Sequence, residues 1–201
     1  MFKISDYCLP DIKLLEEESK KALFWMPDHT YIVLGASNKP EDSLFTEKVK
    51  QDNIIVMKRL SGGQTVMLTP NNMIIAVVFP DVNTLQAKNV FYNINTLIIS
   101  ALEESGINDL SLMGISDITL SGKKILGSAI YRNKDKLLYH AVLNLSEPAS
   151  TYEKYLKHPS KEPDYRNGRK HIDFVTSLKD SGYTVTYDNL ESVLSHFLKK
   201  V

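Results

Sequence analysis

Met73-Ile74-Ile75-Ala76-Val77-Val78-Phe79 is apolar at every position. A run this short and this rich in β-branched residues reads as a strand, and a strand with no polar face must be covered on both sides. It therefore belongs at the centre of a layered fold. It is also the longest apolar run in the chain and falls well short of the roughly 18 residues a bilayer-spanning helix needs, so a membrane partner is not expected.

The neighbouring patterns supply the other layers. Between Pro10 and Met26, Ile12, Leu15, Ala22, Leu23 and Met26 fall at roughly helical spacing, with Asp11 and three glutamates toward the N-terminal half where the helix dipole favours acids. That spacing predicts a helix. Tyr31 to Gly35 and Asn53 to Lys58 are short and β-branched and read as strands. A helix starting near Asn83 or Thr84 carries Ala87, Val90, Phe91, Ile94, Leu97, Ile98 and Ala101 on one stripe, and Gly106 offers a left-handed stop. A last helix presents Leu190, Val193, Leu194, Phe197, Leu198 and Val201, with Asp188 and Glu191 spaced like a capping box.

Between these two helices, Asp117 to Leu120, Ser121-Gly122, Lys124 to Arg132 and Leu137 to Leu145 read as strand, tight turn, strand, loop, strand. This is an antiparallel meander. Strands and helices neither alternate strictly nor segregate, which predicts an α+β fold with a mixed or antiparallel sheet and helices packed on it. Lacking repeats or a Gly/Ser linker, the 201 residues are expected to form a single domain. Lys157 to Lys170 breaks the pattern: two prolines, one glycine and a basic surplus make it an irregular surface stretch.

Charge narrows the function. The 24 basic and 24 acidic side chains cancel, which argues against wholesale nucleic-acid binding. Cys8 is the only cysteine, so there is no internal disulfide, and with no signal peptide a cytoplasmic location is expected. His29, His158, His171 and His196 lack metal-site spacing. No nucleophilic triad can be argued from the residues alone.

Two stretches carry chemistry. In Arg59-Leu60-Ser61-Gly62-Gly63-Gln64-Thr65-Val66 the paired glycines let backbone approach a ligand, and Arg59 and Ser61 can add charge and hydrogen bonds to a carboxylate or phosphate. The plainer reading of these eight residues is a β-turn joining strands that end at Lys58 and start at Thr65. In the second stretch, alternation places Lys124, Leu126 and Ser128 on one face and Ile125, Gly127 and Ala129 on the other. Gly127-Ser128-Ala129 is three small residues in mid-strand, which makes sense where a ligand or another backbone comes close. His140 alternates with Leu138 and Val142, and by itself reads as a packed histidine.

In this order the pieces resemble the lipoate-protein ligase family, whose catalytic fold is shared with octanoyltransferases and biotin-protein ligases. The resemblance rests on paired glutamates within Leu14 to Glu18, a strand ending in Gly35, and an R-x-S-G-G-G-x-V signature matched at Arg59, Ser61, Gly62, Gly63 and Val66. It continues in Asp117-Ile118, in Lys124 followed by Gly127-Ser128-Ala129, in His140 to Leu143 and in Val175 to Leu178. The resemblance implies a ligase that uses ATP with Mg²⁺ to join lipoate, or a related medium-chain acid, to a lysine through an acyl-AMP. It implies acceptors of the lipoyl type, namely domains of 2-oxoacid dehydrogenase E2 subunits or the glycine-cleavage H-type protein. Lys124 would be catalytic, touching the acid's carboxylate and the α-phosphate. Ligand contacts would fall on Arg59, Ser61, Gly62, Gly63, Gln64, Thr65, Asp117, Gly127, Ser128, Ala129 and His140, with Mg²⁺ near Asp117.

The match departs from the family pattern at Gln64, which replaces the third glycine, at Leu68-Thr69 in place of His-Asp, and at Ser116 in place of asparagine. All three touch the expected pocket. The resemblance also implies a missing C-terminal accessory domain, since the chain stops just past the last helix, and hence a separate accessory protein. Two other functions share these residues: a cysteine-independent lipoyl or octanoyl transferase, and a degenerate protein that only binds acyl-nucleotide or a lipoyl domain.

Overall fold

The computed structural model describes residues 3–80, 82 and 85–199. Among these described residues ten strands fall into two sheets. The smaller contains β1 (Ile4–Asp6), β3 (Tyr31–Leu34), β4 (Ile55–Lys58) and β5 (Val66–Leu68), in the order β1-β4-β3-β5. The larger contains β2 (Lys21–Trp25), β6 (Asn72–Phe79), β7 (Leu110–Met113), β8 (Asp117–Leu120), β9 (Lys123–Arg132) and β10 (Leu137–Asn144), in the order β2-β6-β10-β9-β8-β7. The helices are α1 (Pro40–Ser43), α2 (Thr46–Gln51), α3 (Ala87–Glu104), α4 (Ala149–Tyr155), α5 (His171–Phe174) and α6 (Tyr187–Leu198). The α+β expectation holds.

Strand β6 has every residue buried and is paired on both edges, by β2 and by β10. Its odd positions Met73, Ile75 and Val77 join Ile94, Ile98 and Leu102 of α3 and Leu190, Leu194 and Leu198 of α6 in the main core. Its even positions face the other way. There Ala76 and Val78 meet Leu14, and Ile74 meets Val33, Met57 and Leu68 of the smaller sheet. Burying each such leucine or isoleucine contributes about 1.5–3 kcal/mol, so this two-sided packing dominates the fold's stability.

The expected helix over Pro10 to Met26 is corrected. Only Pro10–Glu16 is helical, as a 3₁₀ segment, and Lys21–Trp25 is strand β2. Ala22 and Phe24 pack on the helix side while Leu23 packs beside Leu14, the period-two pattern of a strand. Pairing with the open edge of β6 outweighs the weak helical spacing. The capping box at the last helix is also corrected: Thr186 is the N-cap and accepts from the Asn189 N–H at 3.4 Å. Gly106 does take a left-handed conformation, at φ +84°. Asn83, Thr84 and Val201 lie outside the described residues. The Lys157 to Lys170 stretch is irregular as expected, with one 3₁₀ turn at Asp164–Arg166.

Candidate active site

The segment from Arg59 to Thr65 is not a hairpin turn. β4 and β5 lie on opposite sides of β3, so the loop must cross the end of β3 to join them. Arg59 builds that crossing. Its Nη1 donates to the Val33 carbonyl at 3.1 Å, and its Nη2 donates to the carbonyls of Gly62 and Gln64, both at 2.8 Å. Burial pulls the Arg59 guanidinium pKa down to about 10, still charged at neutral pH. Because a trans peptide sets N–H opposite C=O, anchoring those carbonyls turns the N–H groups of Gly63 and Thr65 away from the guanidinium. Gly63 and Thr65 line a cavity of about 610 Å³, a size in the range of small-molecule sites.

Glycine is required at one point of this loop and at one point of the backbone facing it. Gly63 has φ +91°, and a side chain at Gly35 would put its Cβ 2.1 Å from the Gly63 carbonyl oxygen. Gly62 is different: a Cβ there meets nothing within 4 Å, and the residue serves through its carbonyl. Asn38 locks the loop by accepting from the Gly35 N–H at 3.0 Å and from Thr65 Oγ1 at 3.1 Å.

His140 stands in the cavity wall on β10, opposite Ala129 of β9. It is held from behind: Nε2 lies 2.8 Å from Ser61 Oγ and Nδ1 lies 3.0 Å from Asp11 Oδ2, while Tyr7 donates to Asp11 Oδ1 at 2.7 Å. Asp11 is 0% exposed and Ser61 2%. A carboxylate on Nδ1–H leaves Nε2 to accept the serine proton, so the chain selects one tautomer of the imidazole. Burial, reinforced by Asp11, pushes the Tyr7 hydroxyl far above the usual tyrosine range, keeping it a donor.

Lys124 follows the Ser121-Gly122 turn, where both residues have positive φ as a tight hairpin requires. The simple alternation expected for β9 is corrected by a bulge. Ile118 pairs with Leu126 and Thr119 with Lys124, so Ile125 is an extra residue and both Ile125 and Leu126 point into the core. The extra residue moves Lys124 onto the face of Gly127. There its Nζ pairs with Asp117 Oδ1 at 2.8 Å, and a Cβ on Gly127 would fall 2.6 Å from Lys124 Cε and Nζ. The absent side chain is the lysine's channel. Ser128 donates to the Ser116 carbonyl at 2.8 Å and fastens β9 to the start of β8.

Asp117 has a second partner. Tyr165 Oη donates to its Oδ2 at 2.7 Å, so both carboxylate oxygens are engaged. Among the described residues no three His, Cys, Asp or Glu side chains gather as metal ligands. Asp117 is thus a single carboxylate held between Lys124 and Tyr165 rather than one of a cluster of acids. Lys157, Lys161, Arg166 and His171 also line the cavity. Burial pulls the His171 pKa down to about 4, so that ring is neutral at pH 7.

The structure thus gathers Arg59, Gly63, Gln64, Thr65, Asp117, Lys124, Gly127, Ser128, Ala129 and His140 around one cavity. Ser61 and Gly62 support that wall. Sequence reasoning missed Tyr7, Asp11, Asn38, Tyr165 and Arg166. Asp11 looked like a dipole partner, and nothing local to it or to Tyr7 signals a partner 129 residues away. Arg166 lay within a stretch already noted as basic, which was the one available clue.

A mixed two-sheet fold thus brings a lysine and a glycine loop to one cavity that also has the apolar lining residues Val33, Met67, Leu68 and Ile74. The family model of the lipoyl protein ligase A/B catalytic domain matches residues 2–199, and the chain belongs to that family. Lipoate-protein ligase LplJ of Bacillus subtilis is 29% identical over 140 residues, 70% of this chain and 40% of that protein. Among solved structures, a lipoate-protein ligase A bound with ATP superposes with a TM-score of 0.79 at 19% identity, covering 94% of this chain and 77% of the other. A bi-partite lipoate protein ligase from Thermoplasma acidophilum, described together with its E2 lipoyl domain, gives 0.77 at 19% identity, covering 90% and 70%. This chain spans about two fifths of the length of the curated relatives it matches. No helix among the described residues is long and apolar enough to cross a membrane.

Proposed function

We propose that this chain catalyses ATP-dependent attachment of lipoate, or a related medium-chain acid, to a lysine of a lipoyl-type acceptor domain through an acyl-AMP. The observation that carries the reading is Lys124, laid across Gly127 beside Asp117 and sharing its cavity with the Arg59-braced glycine loop. An acid carboxylate brought against an α-phosphate concentrates negative charge, which the Lys124 ammonium and the loop N–H groups offset. The carboxylate oxygen bonds to the α-phosphorus as the α–β bridge breaks, releasing pyrophosphate. The neutral amine of the acceptor lysine then bonds to the acyl carbon, AMP leaves with the C–O electron pair, and the amide forms with loss of one proton. No enzyme thiol takes part, in keeping with an exposed Cys8 as the only cysteine. Mg²⁺ would arrive with ATP and supply charge neutralisation on the nucleotide, with Asp117 the carboxylate beside Lys124 that could meet it.

The acceptor would be a lipoyl domain of a 2-oxoacid dehydrogenase E2 subunit or a glycine-cleavage H-type protein. The archaeal relative described with its E2 lipoyl domain supports that choice, and its bi-partite nature supports a separate accessory protein here. Mixing the protein with lipoate and MgATP, without acceptor, should yield lipoyl-AMP and pyrophosphate detectable by mass spectrometry. Absence of both, with a candidate accessory protein also present, would remove the ATP-dependent step.

A second reading, a cysteine-independent transferase, draws on one observation. Ser61, His140 and Asp11 have the spacing of nucleophile, base and orienter. Ser61 at 2% exposed favours the positioning role over the nucleophilic one. Supplying a preformed acyl donor without ATP separates the two.

A further inference from the structure

A lysine ammonium is a point charge on a flexible stem, so its position is set by what surrounds it. Around Lys124 two neighbours do this: Gly127, whose missing side chain leaves the space, and Asp117, whose Oδ1 lies 2.8 Å from Nζ. The carboxylate must itself be oriented. Ser116 Oγ is 3.4 Å from the same Oδ1, too long to hold it firmly. The firm contact comes from Tyr165, 48 residues away, whose Oη donates to Oδ2 at 2.7 Å.

The tyrosine is well anchored. Its ring centre lies 5.2 Å from that of the buried Phe174, and its carbonyl accepts from Arg169 Nη2 at 2.9 Å. A Cβ on Gly114 would come 3.6 Å from Tyr165 Cε1, so the ring also lies against the turn between β7 and β8. Just past Phe174, the Thr176 N–H donates to the Lys124 carbonyl at 3.0 Å. One segment therefore grips the lysine twice, by main chain at Thr176 and through the Asp117 carboxylate at Tyr165. Burial, reinforced by the Asp117 charge, pushes the Tyr165 hydroxyl far above the usual tyrosine range and keeps it a donor. Asp117 and Lys124 line the cavity and Tyr165 does not, so the tyrosine reaches the ligand space only through the carboxylate.

We propose that Tyr165 is a positioning residue for the Lys124 ammonium, acting through Asp117: its hydroxyl holds one carboxylate oxygen so that the other faces Nζ. The consequence for the reaction rests on the ATP-dependent reading above; the hold on the lysine does not. A carboxylate engaged at both oxygens neither swings away from the ammonium nor turns both oxygens onto it. A neutral donor suits this task, because it fixes Asp117 without adding a second cation that would compete with Lys124 for the same charge.

The test treats the full chain, as wild type, Tyr165→Phe, Asp117→Asn and the double variant, with trace acetic anhydride and reads acetylation of each lysine by mass spectrometry. Phenylalanine keeps the ring packing and removes only the hydroxyl. In Tyr165→Phe, labelling of Lys124 should rise about fivefold or more, the scale of one charge-assisted hydrogen bond. Lys154, paired with Asp52 at 2.6 Å on another face, should stay within about twofold of wild type. In the Asp117→Asn background, removing the hydroxyl should add nothing, because the route to the lysine is already cut. With lipoate and MgATP, Tyr165→Phe should lower the adenylation kcat about tenfold and leave both KM values within about twofold. Unchanged Lys124 labelling, an equal effect with and without the Asp117 carboxylate, or a kcat equal to wild type would overturn the inference. So would a parallel rise at Lys154, which marks general loosening. Lys124 labelling that responds to Tyr165→Phe in a protein whose wild type forms no lipoyl-AMP would sink the ATP-dependent reading and leave the hold on Lys124 standing.

Discussion

Gly127 holds open the space that Lys124 occupies: a Cβ at position 127 would fall 2.6 Å from the lysine's Cε and Nζ. The bulge at Ile125 creates that relationship, since it brings Lys124 onto the glycine's face of β9. Gly127→Ala should therefore displace the ammonium from Asp117 without opening the core. The expected result is a fall in adenylation rate of about tenfold or more, against a stability loss of about 1 kcal/mol by urea unfolding. Lys124→Met should abolish adenylation while leaving the fold intact.

The contact between Gly35 and Gly63 gives a paired prediction. Gly35→Ala places a methyl 2.1 Å from a backbone oxygen that cannot swing aside, so the loop must move and ligand affinity should drop. Gly62→Ala meets nothing within 4 Å and should change lipoate binding by less than about threefold. Calorimetric titration of both variants checks the contrast.

Asp11 is fully buried and braces His140, which in turn holds Ser61 of the glycine loop. Asp11→Ala leaves the Tyr7 hydroxyl and the His140 Nδ1 without their acceptor. Removing one member of a buried charged network of this kind costs about 3 kcal/mol, measurable as a shift in the urea midpoint. Lipoate affinity should fall with it.

His171 fixes a pH dependence. Its folded pKa is about 4 because burial and the nearby Arg166 charge disfavour the imidazolium, whereas the unfolded chain titrates near the usual histidine value of about 6.5. Between those values the unfolded state binds the extra proton, so this group's contribution is fully present above about pH 6.5 and is lost as pH falls toward 4. His171→Gln should flatten the stability profile in that window and leave it unchanged above pH 7. Urea midpoints at pH 4.5 and 7.5 measure the difference.

How much of this was readable beforehand depends on how local each cause is. β6, α3 and the β8–β9 hairpin carry their own signals, namely a two-sided apolar run, a three-four stripe with a glycine stop, and Ser-Gly between alternating strands. The glycine loop and Lys124 were legible as motifs. Their mutual geometry was not. The Ile125 bulge depends on the register with β8, Arg59's role as a brace depends on carbonyls that only the strand order brings to it, and the Asp11 and Tyr165 contacts link residues far apart in sequence. β2 is not legible in its own residues, because five residues with two periodicities available are decided by the partner strand β6.

The most direct test of the central claim is the intact mass of a lipoyl domain incubated with this protein, lipoate and MgATP, with a candidate accessory protein included in parallel. The account predicts one added lipoyl group on one acceptor lysine, no addition when ATP is omitted, and none with Lys124→Met. An unmodified acceptor under every wild-type condition, or a modification that persists with Lys124→Met, would contradict it.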